Sequence, residues 1–196
     1  MADAKKPRRY YQNLYRFDAD TNSYLIEVSL DDYDEVYDDW DPSPFKKRDI
    51  EDEFNDFIVD SATDIPLSSG VSIVLHLPED KRSEEKEAIL ISAYRYFYGY
   101  IVQRLNKELT NQRMRAASYL VFSLIFMSIG YFFTIEGSSM VLSVLHEGIL
   151  IGGWVFLWEF ITTMFISGRD KVREYRMFQR LLDSELRFVY HKEASS

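Results

Sequence analysis

Two long apolar runs, separated by only four residues, place the strongest constraint on what this chain can fold into. Residues 116–135 carry no charged side chain, and residues 140–167 form a second, longer apolar run. Twenty residues at the α-helical rise extend about 30 Å, which matches the hydrocarbon thickness of a bilayer. Because only residues 136–139 join the runs, the sequence predicts a tight hairpin of two transmembrane helices, 116–135 and 140–167.

Basic residues flank this predicted hairpin on both sides, whereas the turn between the spans has no lysine or arginine. The flanking cations are Arg104, Lys107, Arg113 and Arg115 before the first span, and Arg169, Lys171, Arg173, Arg176 and Arg180 after the second. Loops rich in lysine and arginine stay on the cytoplasmic side, so we expect a multi-pass protein of the plasma (cytoplasmic) membrane with both termini cytoplasmic. The basic start, residues 5–9, is not followed by an apolar segment, so we predict no signal peptide.

The polar remainder of the chain predicts a small cytoplasmic α+β domain with a short sheet. Residues 24–30 and 71–77 alternate apolar and polar side chains, which is typical of half-buried strands. Residues 48–61, and a stretch that begins at Ser83, have apolar residues at helical spacing. The predicted order is a polar basic tail (1–22), the α+β domain ending in a long helix that leads into the membrane (23–115), the two spans, and a C-terminal helix whose end, 186–190, could return to the sheet as a strand (168–196).

We expect one hydrophobic core beneath this sheet. Its members are the apolar residues on one face of each strand and one face of the first helix, namely Ile26, Val28, Ile73, Leu75, Phe54 and Phe57. Their spacing of two in the strands, and of three to four in the helix, is what places them on common faces.

The composition excludes several classes of protein. A formal net charge of −9 argues against a nucleic-acid surface, which needs a basic stripe. The absence of cysteine excludes disulfides, thiolate metal sites and cysteine nucleophiles. We find neither a phosphate-binding glycine loop nor a nucleophile with an interpretable base, and therefore predict no catalysis and no cofactor.

Three ionisable residues lie in the second apolar run: His146, Glu147 and Glu159. Such residues are unfavourable in a membrane helix and usually face protein or water rather than lipid. The alternative is that they lie at the membrane interface, since the run is longer than one bilayer thickness. The pair His146-Glu147 begins like a zinc-binding HExxH motif, but the fifth position is Leu150, so we predict no metal site.

Gly148 and Gly152 have the GxxxG spacing of close helix contacts. At 100° per residue, Glu159 falls within about 20° of Gly148 around the helix. We therefore hypothesise a helix-packing face that includes Gly148, Gly152 and Glu159. The contacting helix is either the first span or the same span of a second copy.

An acidic stretch with a tryptophan and two prolines follows the first strand. Its candidate partner-binding or cation-binding residues are Asp31, Asp32, Asp34, Glu35, Asp38, Asp39, Trp40, Asp41 and Arg48. Carboxylates suit calcium or magnesium, but the glycine and spacing of an EF-hand are absent. A solvated or partner-facing loop is the favoured interpretation of the acidic run. For the segment from Trp40 to Asp49, where Trp40 could pin a rigid loop and Arg48 could pair with a carboxylate, a structural corner is favoured over a ligand site.

Three segments resemble a group of uncharacterised bacterial small membrane proteins that have a cytoplasmic domain and a two-helix transmembrane hairpin. These segments are Trp40-Asp-Pro-Ser-Pro-Phe-Lys-Lys-Arg-Asp49, Asp64-Ile-Pro-Leu67 and Glu147-Gly-Ile-Leu-Ile-Gly-Gly-Trp-Val-Phe-Leu-Trp-Glu159. The resemblance covers residues 24–190 and implies a bacterial plasma-membrane setting. It implies no particular activity.

The features above favour a membrane-anchored cytoplasmic interaction, scaffolding or regulatory protein. Its expected partners are the lipid bilayer and either a second copy or another membrane protein, and not nucleic acid. The alternative is a subunit of a homo-oligomeric ion channel or ion pathway that uses the intramembrane carboxylates, because two helices cannot enclose a pore alone. A third hypothesis, an enzyme acting on lipid at the inner surface, is supported only by the many interfacial aromatic and polar residues.

Overall fold

A computed structural model describes residues 10–38, 50–132 and 140–192 of the 196-residue chain. The described residues form two compact units. The first unit comprises 10–38, 50–102 and 176–192, and the second comprises 103–132 and 140–175. The predicted turn at 136–139 and the last residues of the first predicted span lie outside the described residues.

The first unit contains a four-stranded mixed sheet. Its strands are β1 (Arg16–Asp18), β2 (Ser23–Ser29), β3 (Gly70–Pro78) and β4 (Glu185–His191), in the order β1-β2-β3-β4. β1 is antiparallel to β2, whereas β2, β3 and β4 are mutually parallel. The alternation at 186–190 correctly predicts a strand, which joins β3 with Leu186 opposite Ile73.

Five α-helices complete the described structure. They are α1 (Tyr11–Leu14), α2 (Asp52–Asp64), α3 (Glu84–Phe132), α4 (Met140–Ile161) and α5 (Gly168–Leu182), with short 3-10 turns at Tyr33–Val36 and Glu79–Lys81 and a π-helical segment at Thr162–Ser167. α3 continues without a break from the predicted long helix of the α+β domain into the predicted first span, across the predicted boundary between residues 115 and 116. The residues around this boundary contain no proline or glycine, so the helix has no cause to stop there.

The core of the first unit lies against one face of the sheet. Ile26, Ile73 and Leu75 are fully buried and Phe54 is nearly so, as predicted. Val28 is only partly buried. The prediction for Phe57 is wrong, because this side chain is 49% exposed. The buried stripe of α2 consists instead of residues three, four or seven apart, namely Phe54, Ile58, Ser61 and Ala62.

The structure also differs from the predicted tail at residues 1–22. Its described part, from residue 10, contains α1 and β1, and the Tyr11 ring packs edge-on against Tyr24 at 5.3 Å. Phe17 of β1 packs against the same tyrosine, with ring centroids 5.0 Å apart. A four-residue helix and a three-residue strand are too short to produce a periodic pattern, so the sequence does not reveal them. Residues 1–9 lie outside the described chain.

Two helical stretches of the described chain are long and apolar enough to cross a membrane. They are Glu84–Phe132, and Met140–Leu182, which comprises α4, the π-helical segment and α5. In the second unit, contacts join residues 108, 112, 123 and 130 of α3 to residues 171, 163, 153 and 146 respectively. Because one series rises while the other falls, the two helices pack antiparallel.

Candidate functional site

Two glycines mark the closest approach of α3 and α4. A Cβ atom at Gly153 would lie 2.7 Å from Met127 Cγ and 3.2 Å from the Met127 backbone nitrogen. At Gly130, a Cβ atom would lie 2.3 Å from Leu150 Cδ2. The buried Ser123 hydroxyl donates to the Gly153 carbonyl across the interface, at 2.9 Å. Small residues and a side-chain hydrogen bond are the contacts expected between membrane helices.

Gly148 and Gly152, the predicted packing pair, differ in their distance from α3. A Cβ atom at Gly152 would meet the Phe126 ring at 3.2 Å, so Gly152 lies at the edge of the α3 contact. At Gly148, no atom of the described residues lies within 4 Å of such a position. The contact with α3 therefore uses Gly153, which the GxxxG pattern does not select. The contact of Gly148 with a second copy stays a prediction.

His146 joins the two helices near the other glycine. Its Nε2 lies 2.6 Å from the carbonyl oxygen of Gly130, and because a carbonyl can only accept, Nε2–H is the donor. The imidazole is half-buried in this contact. This hydrogen bond accounts for a histidine in an apolar helix without a metal or a proton pathway.

Glu147 and Glu159 face away from α3. Both side chains are exposed, and neither carboxylate has a hydrogen bond or ion pair within the described residues. They share the open side of α4 with Gly148 and large apolar residues such as Ile151 and Val155. Intramolecular shielding of Glu159, one of the two arrangements that the sequence leaves open, is therefore not what the structure shows.

Polar contacts also join the helices near the π-helical segment. Gln112 Nε2 donates to the Thr163 carbonyl at 3.0 Å, while Gln112 Oε1 and Thr162 Oγ1 are buried and have no hydrogen-bond partner among the described residues. One turn earlier in α3, Glu108 pairs with Lys171 at 3.0 Å. Thr163 belongs to the π-helical segment, so this contact with α3 falls where α4 loses its regular α-helical geometry. No sequence pattern singles out this contact.

The acidic stretch is largely built into the fold where it is described. Asp32 pairs with Lys81 at 3.0 Å and Lys86 at 3.1 Å, and the hydrogen bond from Lys81 is the main cause that lowers the pKa of this carboxyl to about 2. Glu35 reaches back to the backbone N–H of Asp31, at 3.3 Å. Asp34 lies in the 3-10 turn and Asp38 follows it. Asp39, Trp40, Asp41 and Arg48 lie outside the described residues.

Arg180, which the sequence suggests only as a flanking charge, is a structural residue of the first unit. Its guanidinium donates to carbonyls at the end of α2 and in the turn that follows: Ala62, Ile65, Pro66 and Ser69. Burial lowers the pKa of this guanidinium below its ordinary value. The arginine therefore stabilises the carboxyl end of α2, where free carbonyls and the helix dipole favour a cation.

A hydrogen-bonded group of tyrosines closes the other end of the sheet. The Tyr33 and Tyr190 hydroxyls are 2.6 Å apart, and the Tyr190 hydroxyl donates to Glu87 near the start of α3. Burial, followed by these bonds to the neutral hydroxyl, raises the pKa of Tyr190 well above its ordinary value. The group ties β4 to α3 as neutral donors and acceptors. It presents no nucleophile.

A second polar group lies on the sheet face opposite the core. His76 Nδ1 of β3 and His191 Nε2 of β4 are 2.6 Å apart, and His76 Nε2 lies 3.4 Å from Glu27 Oε1 of β2. These two histidines lie far apart in the chain, at positions 76 and 191. Their signal is the alternation of the strands, because each one follows a core residue, Leu75 or Tyr190, and so points to the other face.

No group of three or more histidine, aspartate or glutamate side chains within the described ranges is arranged to hold a metal ion. The geometry thus offers an open helix face with two carboxylates and a paired imidazole site on a sheet. Comparisons with protein-family models, with curated proteins and with solved structures find no match to this chain.

Proposed function

We propose that this chain is a membrane-anchored interaction protein whose polar sheet unit lies in the cytoplasm. One observation carries the proposal: the apolar helices keep their apolar surface exposed. In the most apolar window of each stretch, only 17% of the first and 6% of the second is buried inside the structure. A core helix of a water-soluble protein would be mostly buried, and an apolar surface of this extent needs a cover. A bilayer supplies that cover.

The distribution of charge supports a hairpin with both ends on the cytoplasmic side. The ion pair Glu108–Lys171 lies at one end of the antiparallel pair, and Gly130–His146 lies toward the other. Four further basic residues lie close to the Glu108–Lys171 end in the sequence, namely Arg113, Arg115, Arg169 and Arg173. By the positive-inside rule, this charge supports a cytoplasmic location for that end. The bacterial plasma membrane is the setting that the sequence resemblance implies.

The open side of α4 indicates how the anchor associates. A carboxylate that faces lipid at mid-span is unfavourable by roughly 2.5–3.5 kcal/mol on the insertion scale for aspartate. Protonation and a hydrogen bond to another helix remove most of that penalty. Gly148 leaves room for a second backbone on the same side of α4 as Glu159, about 16 Å away along the helix axis. We infer that a second copy packs on this face and that the oligomer presents several cytoplasmic units to a partner.

The experiment places single cysteines on the two sides of α4 in reconstituted liposomes. Ile151→Cys and Val155→Cys lie on the open side, at 63% and 60% exposure, whereas Leu150→Cys faces Gly130 of the same copy. Oxidation should yield cross-linked dimers for the first two and not for the third. Equal cross-linking at all three positions, or none at 151 and 155, would contradict the proposed face.

The same liposomes test the second candidate function, a subunit of an ion pathway. The unpartnered carboxylates of Glu147 and Glu159 favour it, since rings of acidic side chains select cations. Cation flux through the wild type that Glu159→Gln abolishes, with cross-linking unchanged, would establish a pathway. Absence of flux from the wild type would exclude a constitutively open channel. The proposal of a membrane-anchored interaction protein would then be retained.

A further inference from the structure

The pair of histidines on the open sheet face forms a site that the proposed membrane function does not use. Glu27, His76 and His191 come from three adjacent parallel strands, and each lies next to a residue that packs into or against the core, so all three project to the opposite face. The Glu27 and His191 side chains are exposed, and the His76 side chain is 23% exposed. The site is thus open to solvent.

The orientation of the rings determines which nitrogen is available. The ring centroids of His76 and His191 are 4.9 Å apart and their planes differ by 19°, so the nitrogens His76 Nδ1 and His191 Nε2 face each other. On its far side, His76 Nε2 is directed at the Glu27 carboxylate. At 3.4 Å from His76 Nε2, the Glu27 carboxylate is within ion-pair distance, and its negative charge favours the tautomer with the proton on Nε2 and a lone pair on Nδ1.

We propose that His76 Nδ1 and His191 Nε2 bind a divalent first-row transition metal ion, with Glu27 as the carboxylate that orients His76. A histidine that ligates a metal almost always donates its other N–H to a carboxylate or carbonyl, and the Glu27 carboxylate, 3.4 Å from His76 Nε2, is the group near enough to take this role. Neutral imidazole suits zinc, copper and nickel, and it does not suit magnesium or calcium. When the metal binds, the proton of His191 moves from Nε2 to the outer Nδ1. The imidazole stays neutral, and the protein releases no proton.

The fit requires a small movement. Two ligands at the usual metal–nitrogen distance in tetrahedral geometry lie roughly 3.3 Å apart, so the 2.6 Å separation must open by roughly 0.7 Å. His191 is the last residue of β4 and its side chain is exposed, so rotation of that side chain supplies the movement. Since the described residues provide no third ligand, water completes the coordination and the ion exchanges readily.

The experiment uses copper(II) alone as the probe, added to the untagged full-length chain in detergent micelles. Copper(II) binds most tightly in the first-row series, and its electron paramagnetic resonance spectrum counts the coordinated imidazole nitrogens. The wild type should show two. His191→Gln and His76→Gln should each show one or none, and Glu27→Gln should keep two nitrogens with affinity lowered about tenfold.

His146→Gln provides the matched control, because it removes the third and last histidine of the chain and should leave the spectrum unchanged. Circular dichroism verifies that each variant remains folded. If His76→Gln does not fold, the number of nitrogens bound to copper in His191→Gln tests the proposal. A two-nitrogen spectrum that survives His191→Gln would overturn the assignment. So would the loss of the wild-type signal in His146→Gln.

Discussion

Asp32 illustrates how single residues turn an acidic stretch into a structural element. Its carboxylate lies between the Lys81 and Lys86 ammonium groups, 3.0 and 3.1 Å away, and Lys86 also lies over the Tyr33 ring at 5.6 Å. These contacts join the end of β2 to the start of α3. A cation site at Asp32 would have to displace two lysines, so the described part of the acidic stretch favours a structural role.

The low pKa of Asp32 leads to a pH-dependent prediction. Asp32→Asn should lower the free energy of unfolding of the first unit at pH 7 by about 1 kcal/mol, the upper range for exposed ion pairs. Because the folded pKa, about 2, lies below the ordinary value of 3.8, this stabilisation is present above pH 4 and disappears as the pH falls toward 2. Chemical denaturation at several pH values measures it.

Asp31→Asn is the matched control for this prediction, because the exposed neighbour has no lysine partner in the described structure. It should leave the stability unchanged at every pH. A deficit for Asp32→Asn that stays constant down to pH 2 would show that the charge of the carboxylate is not the cause.

At the scale of elements, the helix pair of the second unit depends on glycine at one position more than at another. Gly153→Leu should destabilise the pair by about 1–3 kcal/mol, because the new side chain meets the backbone of Met127, which cannot rotate away. Gly148→Leu enters open space and should leave the monomer as stable as the wild type. Unfolding titrations of the detergent-solubilised monomer with sodium dodecyl sulfate compare the two variants. Equal destabilisation would contradict the observed helix contact.

The elements also show what a sequence of this kind can reveal. β2, β3 and β4 are predictable because each alternates over several residues. The apolar runs are predictable because they are long and carry few charged side chains, none in 116–135 and only Glu147 and Glu159 in 140–167. The role of Gly153 in the helix contact is not predictable from the sequence. The spacing of Gly148 and Gly152 defines a helix face, but it does not indicate which helix packs on that face. The His76–His191 pair arises from strands 115 residues apart in the chain, and pairing at that distance leaves no local pattern.

The whole molecule combines a polar sheet unit with a helix pair whose outer surface is apolar. β4 returns to the sheet after both apolar helices, so the first unit is completed by residues on either side of them. A single crossing would place β4 and β3 on opposite sides of a membrane, where they could not pair. The sheet therefore supports an even number of crossings and a common side for both flanks.

Labelling of single cysteines in intact cells tests the proposed topology most directly, because the chain has no cysteine of its own. A membrane-impermeant maleimide should react with a cysteine at Ser138, in the predicted outer turn. Cysteines at Ala2 and Ser196 should react only after the cells are made permeable. Labelling of either terminus in intact cells, or protection of Ser138, would contradict a two-helix membrane hairpin with a cytoplasmic sheet unit.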